Sequence, residues 1–136
     1  MQYLESNFMT VVVFVGSGLM LLWSYLGNTV RGIKEVDTVA ALQLINHKDA
    51  VIVDVREQSE FDSGHLLNSK LIPLSSLKGR AGELEKFRER PVLLTCRSGH
   101  RSKVAAAQLI KLGFTQAYSL AGGVIAWRKA DLPLEK

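Results

Sequence analysis

The chain has 136 residues, room for one ordinary domain and little more. Its net charge of +4, from 17 Lys and Arg against 13 Asp and Glu, is milder than that of a dedicated nucleic-acid binder, and 47% apolar residues exclude a disordered chain. The one cysteine excludes an intrachain disulfide framework and a thiolate-rich zinc site, and the three histidines have no recognisable metal-ligand spacing.

In chain order the first feature is an uncharged apolar run. No charged residue lies between Glu5 and Arg31, and Phe8 to Leu26 holds 14 apolar residues in 19. As a helix this run covers roughly 28 Å at ~1.5 Å per residue, close to the ~30 Å hydrocarbon core of a bilayer. Its exceptions, Thr10, Gly16, Ser17, Gly18 and Ser24, are small residues that a membrane helix tolerates. Tyr3, Trp23 and Tyr25 stand where interfacial anchors do. A cleaved signal peptide needs a basic start and a small-residue cleavage site. Met1 to Asn7 has no Lys or Arg, and no such site follows the run. We therefore expect an N-terminal tail and uncleaved transmembrane helix over residues 1–30, with the span at about 8–26, and a linker over 31–35. Arg31 and Lys34 follow the span, so the positive-inside rule puts the N-terminus outside and the remaining chain in the cytoplasm. Gly16, Ser17 and Gly18 would let a second membrane helix approach, which makes a membrane-protein partner a further expectation.

Beyond Arg31 the pattern alternates. Residues 38–46 have helical spacing, with Val39, Leu42 and Ile45 on one face. Val51 to Val55 is a β-branched run suited to a strand buried on both faces. A short helix around Glu57 to Asp62 follows, then a strand over Leu71 to Leu74 that Pro73 confines to an edge or an end. A surface helix is expected over Ser76 to Glu89, and a second buried strand at Val92 to Thr95. Arg101 to Leu112 is the clearest helix, with Val104, Ala105, Leu109 and Leu112 on its apolar side and Gly113 as its cap. Ala117 to Leu120 is another strand, and a Gly-Gly turn leads to a last helix over 124–130. Strands alternating with helices predict an α/β domain over 36–134, an open parallel sheet flanked by helices on both faces.

Cys96 follows a buried strand directly and precedes a helix, the place where open α/β sheets bind ligands. The loop reads Cys96-Arg97-Ser98-Gly99-His100-Arg101-Ser102. A loop this tight turns backbone N–H groups inward at a helix N-terminus, an anion-binding arrangement, and Gly99 supplies the φ freedom it needs. Amides and the charges of Arg97 and Arg101 both favour thiolate over thiol, so Cys96 is expected to have a lowered pKa and to act as a nucleophile.

These residues resemble the active-site loop of single-domain rhodanese sulfurtransferases. The same order of marks continues in Asp54-Val55-Arg56-Glu57, in Glu60-Phe61 followed by Gly64-His65, and in Gly122-Gly123 with Trp127. With its N-terminal helix, the chain is similar to bacterial rhodaneses anchored in the inner (cytoplasmic) membrane. The resemblance implies sulfur transfer from a donor such as thiosulfate to a thiol or cyanide acceptor through a Cys96 persulfide. It implies Arg97, Ser98, Gly99, His100 and Arg101 as the loop that binds substrate and persulfide, with Asp54, Arg56 and Ser102 in support. It implies no metal, no organic cofactor and no nucleic-acid partner. Arg97 and Arg101 would attract the anionic donor, and His100 would modulate binding. His65 reads as a turn and hydrogen-bond residue, and Trp127 as core. The family's Gly-His-Ile-Pro-Gly-Ala-like turn is replaced here by Gly64-His65-Leu66-Leu67-Asn68-Ser69-Lys70. Phosphatases and arsenate reductases of the same fold place arginine after five intervening residues. Here Arg101 comes after four, a smaller loop that suits one sulfur better than a tetrahedral phosphate. The alternative reading is a membrane-tethered interaction module on the same fold, with little catalytic role.

Overall fold

The computed structural model describes residues 2–31 and 33–136, the side chains of 2–6 and 25–31 excepted. The chain forms two compact units, residues 1–32 and 33–136. The first is helix α1, Gln2–Arg31. Its apolar side chains between Phe8 and Trp23 are exposed, a state that favours a non-aqueous surrounding. Ser17 Oγ donates back to the carbonyls of Val13 at 2.8 Å and Phe14 at 3.2 Å, so this hydroxyl is satisfied inside the helix. Asn7–Ser24 is long and apolar enough to cross a membrane, a test that a signal sequence also meets. Tyr3, Glu5, Tyr25 and Arg31, the expected anchors and flanking charges, have side chains outside the described residues.

The second unit is an α/β domain. Five parallel strands make its sheet: β1 (Lys34–Val36), β2 (Val51–Asp54), β4 (Lys70–Leu71), β5 (Val92–Thr95) and β6 (Ala117–Leu120), in the order β1-β6-β5-β2-β4. A separate antiparallel pair joins β3 (His65–Leu66) to β7 (Leu134–Glu135). The helices are α2 (Thr38–Lys48), α3 (Gln58–Asp62), α4 (Leu77–Arg80), α5 (His100–Lys111) and α6 (Gly123–Lys129). The central strand β5 is apolar on both faces, as a strand covered on both sides must be. Val92 and Leu94 pack with Leu77, Ala105 and Leu109 on one side, from α4 and α5. Leu93 packs with Ala41, Val124 and Trp127 on the other, from α2 and α6. The register Asp54 to Thr95 between β2 and β5 brings the ends of both strands level, which puts the segments after them side by side.

Several local expectations are corrected. Lys34 and Glu35, expected in the linker, pair with Tyr118 and Ser119 as part of β1, and Arg31, expected there too, is the last residue of α1. A three-residue edge strand with two charges carries no alternation to betray it. Helix α2 buries Ala41 and Leu44, while Val39, on the opposite side of the helix from Ala41, is exposed. In α5 the buried stripe is Ser102, Ala105, Ala106 and Leu109, and Val104 and Leu112 face solvent. Two alanines on that stripe let the helix backbone approach the sheet closely. The strand expected over 71–74 is the two-residue β4, on the sheet edge. Leu74–Ser76 and Ala81–Phe87 are 3₁₀ turns on either side of α4, which breaks the single helix expected over 76–89. Gly79 and Gly82 in this stretch weaken a continuous α-helix.

Candidate active site

Cys96 lies one residue past the end of β5, and α5 begins at His100. Between them the chain turns through Gly99, whose φ of 106° is closed to ordinary side chains. A Cβ there would also crowd the amide of Gly122 and the carbonyl of Leu120. This turn brings donors onto the sulfur. Gly99 N–H donates to Cys96 Sγ at 3.0 Å and Ser102 N–H at 3.4 Å, while Ser102 Oγ lies 3.5 Å away. The thiol is 1% exposed. Burial pushes its pKa up. The Ser102 hydroxyl and the amides of Ser102, Gly99 and Ser98 pull it down and prevail, leaving it below the ordinary thiol value.

The loop is held from behind by α6. Val124 N–H donates to the Cys96 carbonyl at 2.8 Å and Ile125 N–H to that of Arg97 at 3.1 Å. Gly123 sits against those carbonyls, where any Cβ would collide with backbone. The Gly-Gly pair is thus a docking surface for the cysteine loop as well as a helix start.

Asp54, the last residue of β2, and Arg56 just beyond it form a buried pair. Arg56 Nε and Nη2 bind the Asp54 carboxylate at 2.8–3.0 Å, and Nη2 also donates to the Gly64 carbonyl at 2.7 Å. The pair therefore fixes the Gly64–His65 corner. His65 stacks on Phe61 with ring centroids 3.6 Å apart, and its Nδ1 lies 2.9 Å from the Phe61 carbonyl. The atypical turn beyond it closes with Ser69 N–H on the Leu66 carbonyl, and Asn68 takes φ 62°. Asn enters that region more readily than most residues, so it replaces the glycine of the usual turn.

The structure corrects the role expected of Arg101. Its guanidinium forms a two-pronged bond to Glu60, at 2.7 and 2.8 Å, tying α5 to α3. Glu60 is pulled down to about 2, chiefly by that bond. Arg101 is therefore a neutralised clamp instead of an open donor-attracting charge. Arg97 is exposed and makes no ion pair among the described residues. It lines an open cavity of about 310 Å³ with Arg56, Glu60, Ser63, Val124, Ile125 and Arg128. Cys96 is not among the lining residues. Ser98 and His100 are exposed, and neither side chain hydrogen-bonds the sulfur. Sequence reasoning missed Arg128 and Ser63, which line this cavity. Glu60 was visible only as a mark of resemblance without a role. Among the described residues no group of three or more His, Cys, Asp or Glu could hold a metal ion.

Fold and site together define an α/β protein with a cysteine in an amide-lined loop at the carboxyl end of the central strand. Residues 37–130 match the family described as Rhodanese-like domain. The chain is 38% identical over 103 residues to the uncharacterized protein YibN of Escherichia coli (strain K12), covering 75% of this chain and 72% of that one. It is 33% identical over 95 residues to the thiosulfate sulfurtransferase GlpE of Coxiella burnetii (strain RSA 493 / Nine Mile phase I), covering 70% and 87%. Among solved structures, a rhodanese-related protein from Thermoplasma volcanium superposes with a TM-score of 0.65 at 30% identity, over 75% of this chain and 97% of its own. The chain belongs to the rhodanese-like family, as the resemblance of its motifs implied, and a thiosulfate sulfurtransferase is among its relatives.

Proposed function

We propose that the protein is a membrane-anchored sulfurtransferase that carries sulfane sulfur on Cys96. The observation that carries this reading is the pair of amides, Gly99 and Ser102, that donate to Cys96 Sγ, with the Ser102 hydroxyl 3.5 Å from the same sulfur. Such a site stabilises a sulfur anion without a fixed counter-charge and releases it again without breaking an ion pair. In the first half-reaction the Cys96 thiolate attacks the outer sulfur of thiosulfate. The sulfur–sulfur bond of the donor breaks and sulfite leaves with the electron pair, giving the Cys96 persulfide. In the second half-reaction an acceptor thiolate or cyanide attacks the terminal sulfur, and Cys96 leaves as thiolate. Electrons balance within each step and no redox partner is needed, so the kinetics are ping-pong. Loop amides hold the terminal sulfur, and Arg97 with Arg128 draws the anionic donor to the cavity mouth. Residues 8–26 anchor the chain in the bacterial inner membrane, with the rhodanese-like domain in the cytoplasm beside Arg31 and Lys34.

Intact-mass measurement of the full-length protein in detergent tests the reading. Thiosulfate is expected to add about 32 Da, roughly one sulfur atom, lost again on adding cyanide. A folded protein whose mass thiosulfate leaves unchanged overturns it, and points to the interaction-module alternative. For orientation, a reporter fused to the C-terminus is expected to be active only in the cytoplasm.

A further inference from the structure

Behind Ser102 the polar contacts continue into the core. Ser119, on β6, is 0% exposed, and its Oγ lies 2.7 Å from Ser102 Oγ. Both hydroxyls reach one acceptor, the Gly99 carbonyl, at 3.0 Å from Ser102 and 3.5 Å from Ser119. A strand interior offers many ways to fill this space with carbon, and a buried hydroxyl there requires a partner. Its partner is Ser102, whose hydroxyl and amide also lie against the sulfur.

The charges around Cys96 do not explain this arrangement, because most are already matched. Arg101 of α5 is bonded to Glu60 of α3, and Arg56 to Asp54 at the end of β2. Arg97 and His100 are exposed. What faces the sulfur from α5, and through it from β6, is a pair of hydroxyls.

We propose that Ser119 is a positioning residue for Cys96, acting through Ser102 as the second member of a two-hydroxyl switch. With Cys96 as thiol, S–H points at Ser102 Oγ, Ser102 O–H donates to the Gly99 carbonyl, and Ser119 O–H donates to Ser102 Oγ. With Cys96 as thiolate, Ser102 O–H swings to the sulfur. Ser119 keeps Ser102 Oγ in place and polarises its O–H through the shared bond. Once Cys96 carries a sulfane sulfur, Sγ is an uncharged divalent sulfur and a weak acceptor, so Ser102 O–H returns to the Gly99 carbonyl. Each half-reaction is then matched by rotation of a buried hydroxyl, with no proton exchanged between the serines and solvent.

The inference rests on Cys96 being the working thiolate. Its test reads the thiolate itself, so it fails separately from the sulfur-transfer reading. Thiolate ultraviolet absorbance is titrated in the full-length protein, with Cys96→Ser as the blank. Ser119→Ala is expected to lower the thiolate-to-thiol ratio at a given pH by about two- to fourfold, a midpoint rise of about 0.3–0.6 pH unit. Ser119→Thr, which retains the hydroxyl, is expected to keep the wild-type midpoint. In a Ser102→Ala background, removing Ser119 is expected to add nothing, because the effect passes through Ser102. An unmoved midpoint in Ser119→Ala overturns the proposal, as does an equal shift with and without Ser102. If Ser119→Ala does not fold, Ser119→Thr against its isostere Ser119→Val carries the same comparison.

Discussion

Two regions flank the cysteine and are built on opposite electrostatic plans. The Cys96 loop meets the sulfur with neutral groups, the donating Gly99 and Ser102 amides and, 3.5 Å away, the Ser102 hydroxyl. The frame beside it, α3 with the corner after β2, is made of full charges bound in pairs: Asp54 to Arg56 and Glu60 to Arg101. The difference separates chemistry from support. A charge that appears and disappears during a reaction suits fixed amide dipoles, joined here by a hydroxyl that has only to rotate. A charge that must hold two elements at fixed distance suits a two-pronged arginine–carboxylate bond. Arginines near the cysteine thus divide by pairing, with Arg56 and Arg101 bound to carboxylates and the Arg97 and Arg128 side chains unpaired among the described residues.

The largest effect expected from this division is at the sulfur. Cys96→Ser should abolish sulfur transfer and the mass adduct while leaving the thermal midpoint near wild type, since one small buried side chain replaces another. A large loss of stability instead would show that the loop depends on the sulfur as a structural acceptor. Next comes the frame. Asp54→Ala leaves Arg56 buried without its partner and frees the Gly64 carbonyl support, so we expect a loss of about 3–5 kcal/mol in denaturant unfolding. If the pair merely decorates the site, stability will hold and only activity will fall.

The motif-bearing part of this division was legible in the sequence. The cysteine loop, its place after a buried strand and the α/β alternation all follow from short-range patterns, and the structure has them at Val92–Thr95 and His100–Lys111. What escaped depends on contacts between distant positions. Arg101 reads as a charge in the active loop until Glu60, forty-one positions earlier, is seen bonded to it. Strands β3 and β7 are two residues each and exist only because they pair with each other. Ser119 reads as one more strand residue until its distance to Ser102 is known. In α2 Leu42 and Ile45 do pack on the core and only Val39 was misplaced, whereas in α5 Val104 and Leu112 were misplaced because a stripe of serine and alanines carries a weaker hydrophobic signal than scattered valine and leucine.

A third test addresses the free arginines. Neither the Arg97 nor the Arg128 side chain makes a hydrogen bond or ion pair among the described residues, and both residues line the open cavity. Arg97→Ala with Arg128→Ala should reduce kcat/KM for thiosulfate by roughly two- to tenfold at low ionic strength, mostly through KM. Added salt should shrink the difference, because exposed charges are screened beyond about 10 Å at 0.1 M. A loss that persists at high salt would assign these side chains direct contacts with the donor instead of attraction at a distance.

The smallest effect belongs to the Glu60–Arg101 clamp, and its sign follows from proton binding. Hydrogen bonds from Arg101 outweigh burial and, with the Glu57 amide, hold Glu60 at about 2 against its ordinary 4.5. A carboxyl lowered by folding adds stability that is present above pH 4.5 and lost as the pH falls toward 2. Glu60→Gln removes that contribution, so its thermal midpoint should fall less steeply than wild type across this window. Glu83 is lowered in the same way by Arg80 and Lys70, but it is shared by both proteins and cancels in the comparison. Both side chains of the clamp are about one-third exposed, so the gain at neutral pH is expected to stay near or below about 1 kcal/mol. The same variant also frees Arg101 beside the cysteine loop. If neutral donors govern the sulfur, the Cys96 titration midpoint will move little when that charge is released. A marked fall in the midpoint would instead give the thiolate to the arginine, and erase the distinction between loop and frame.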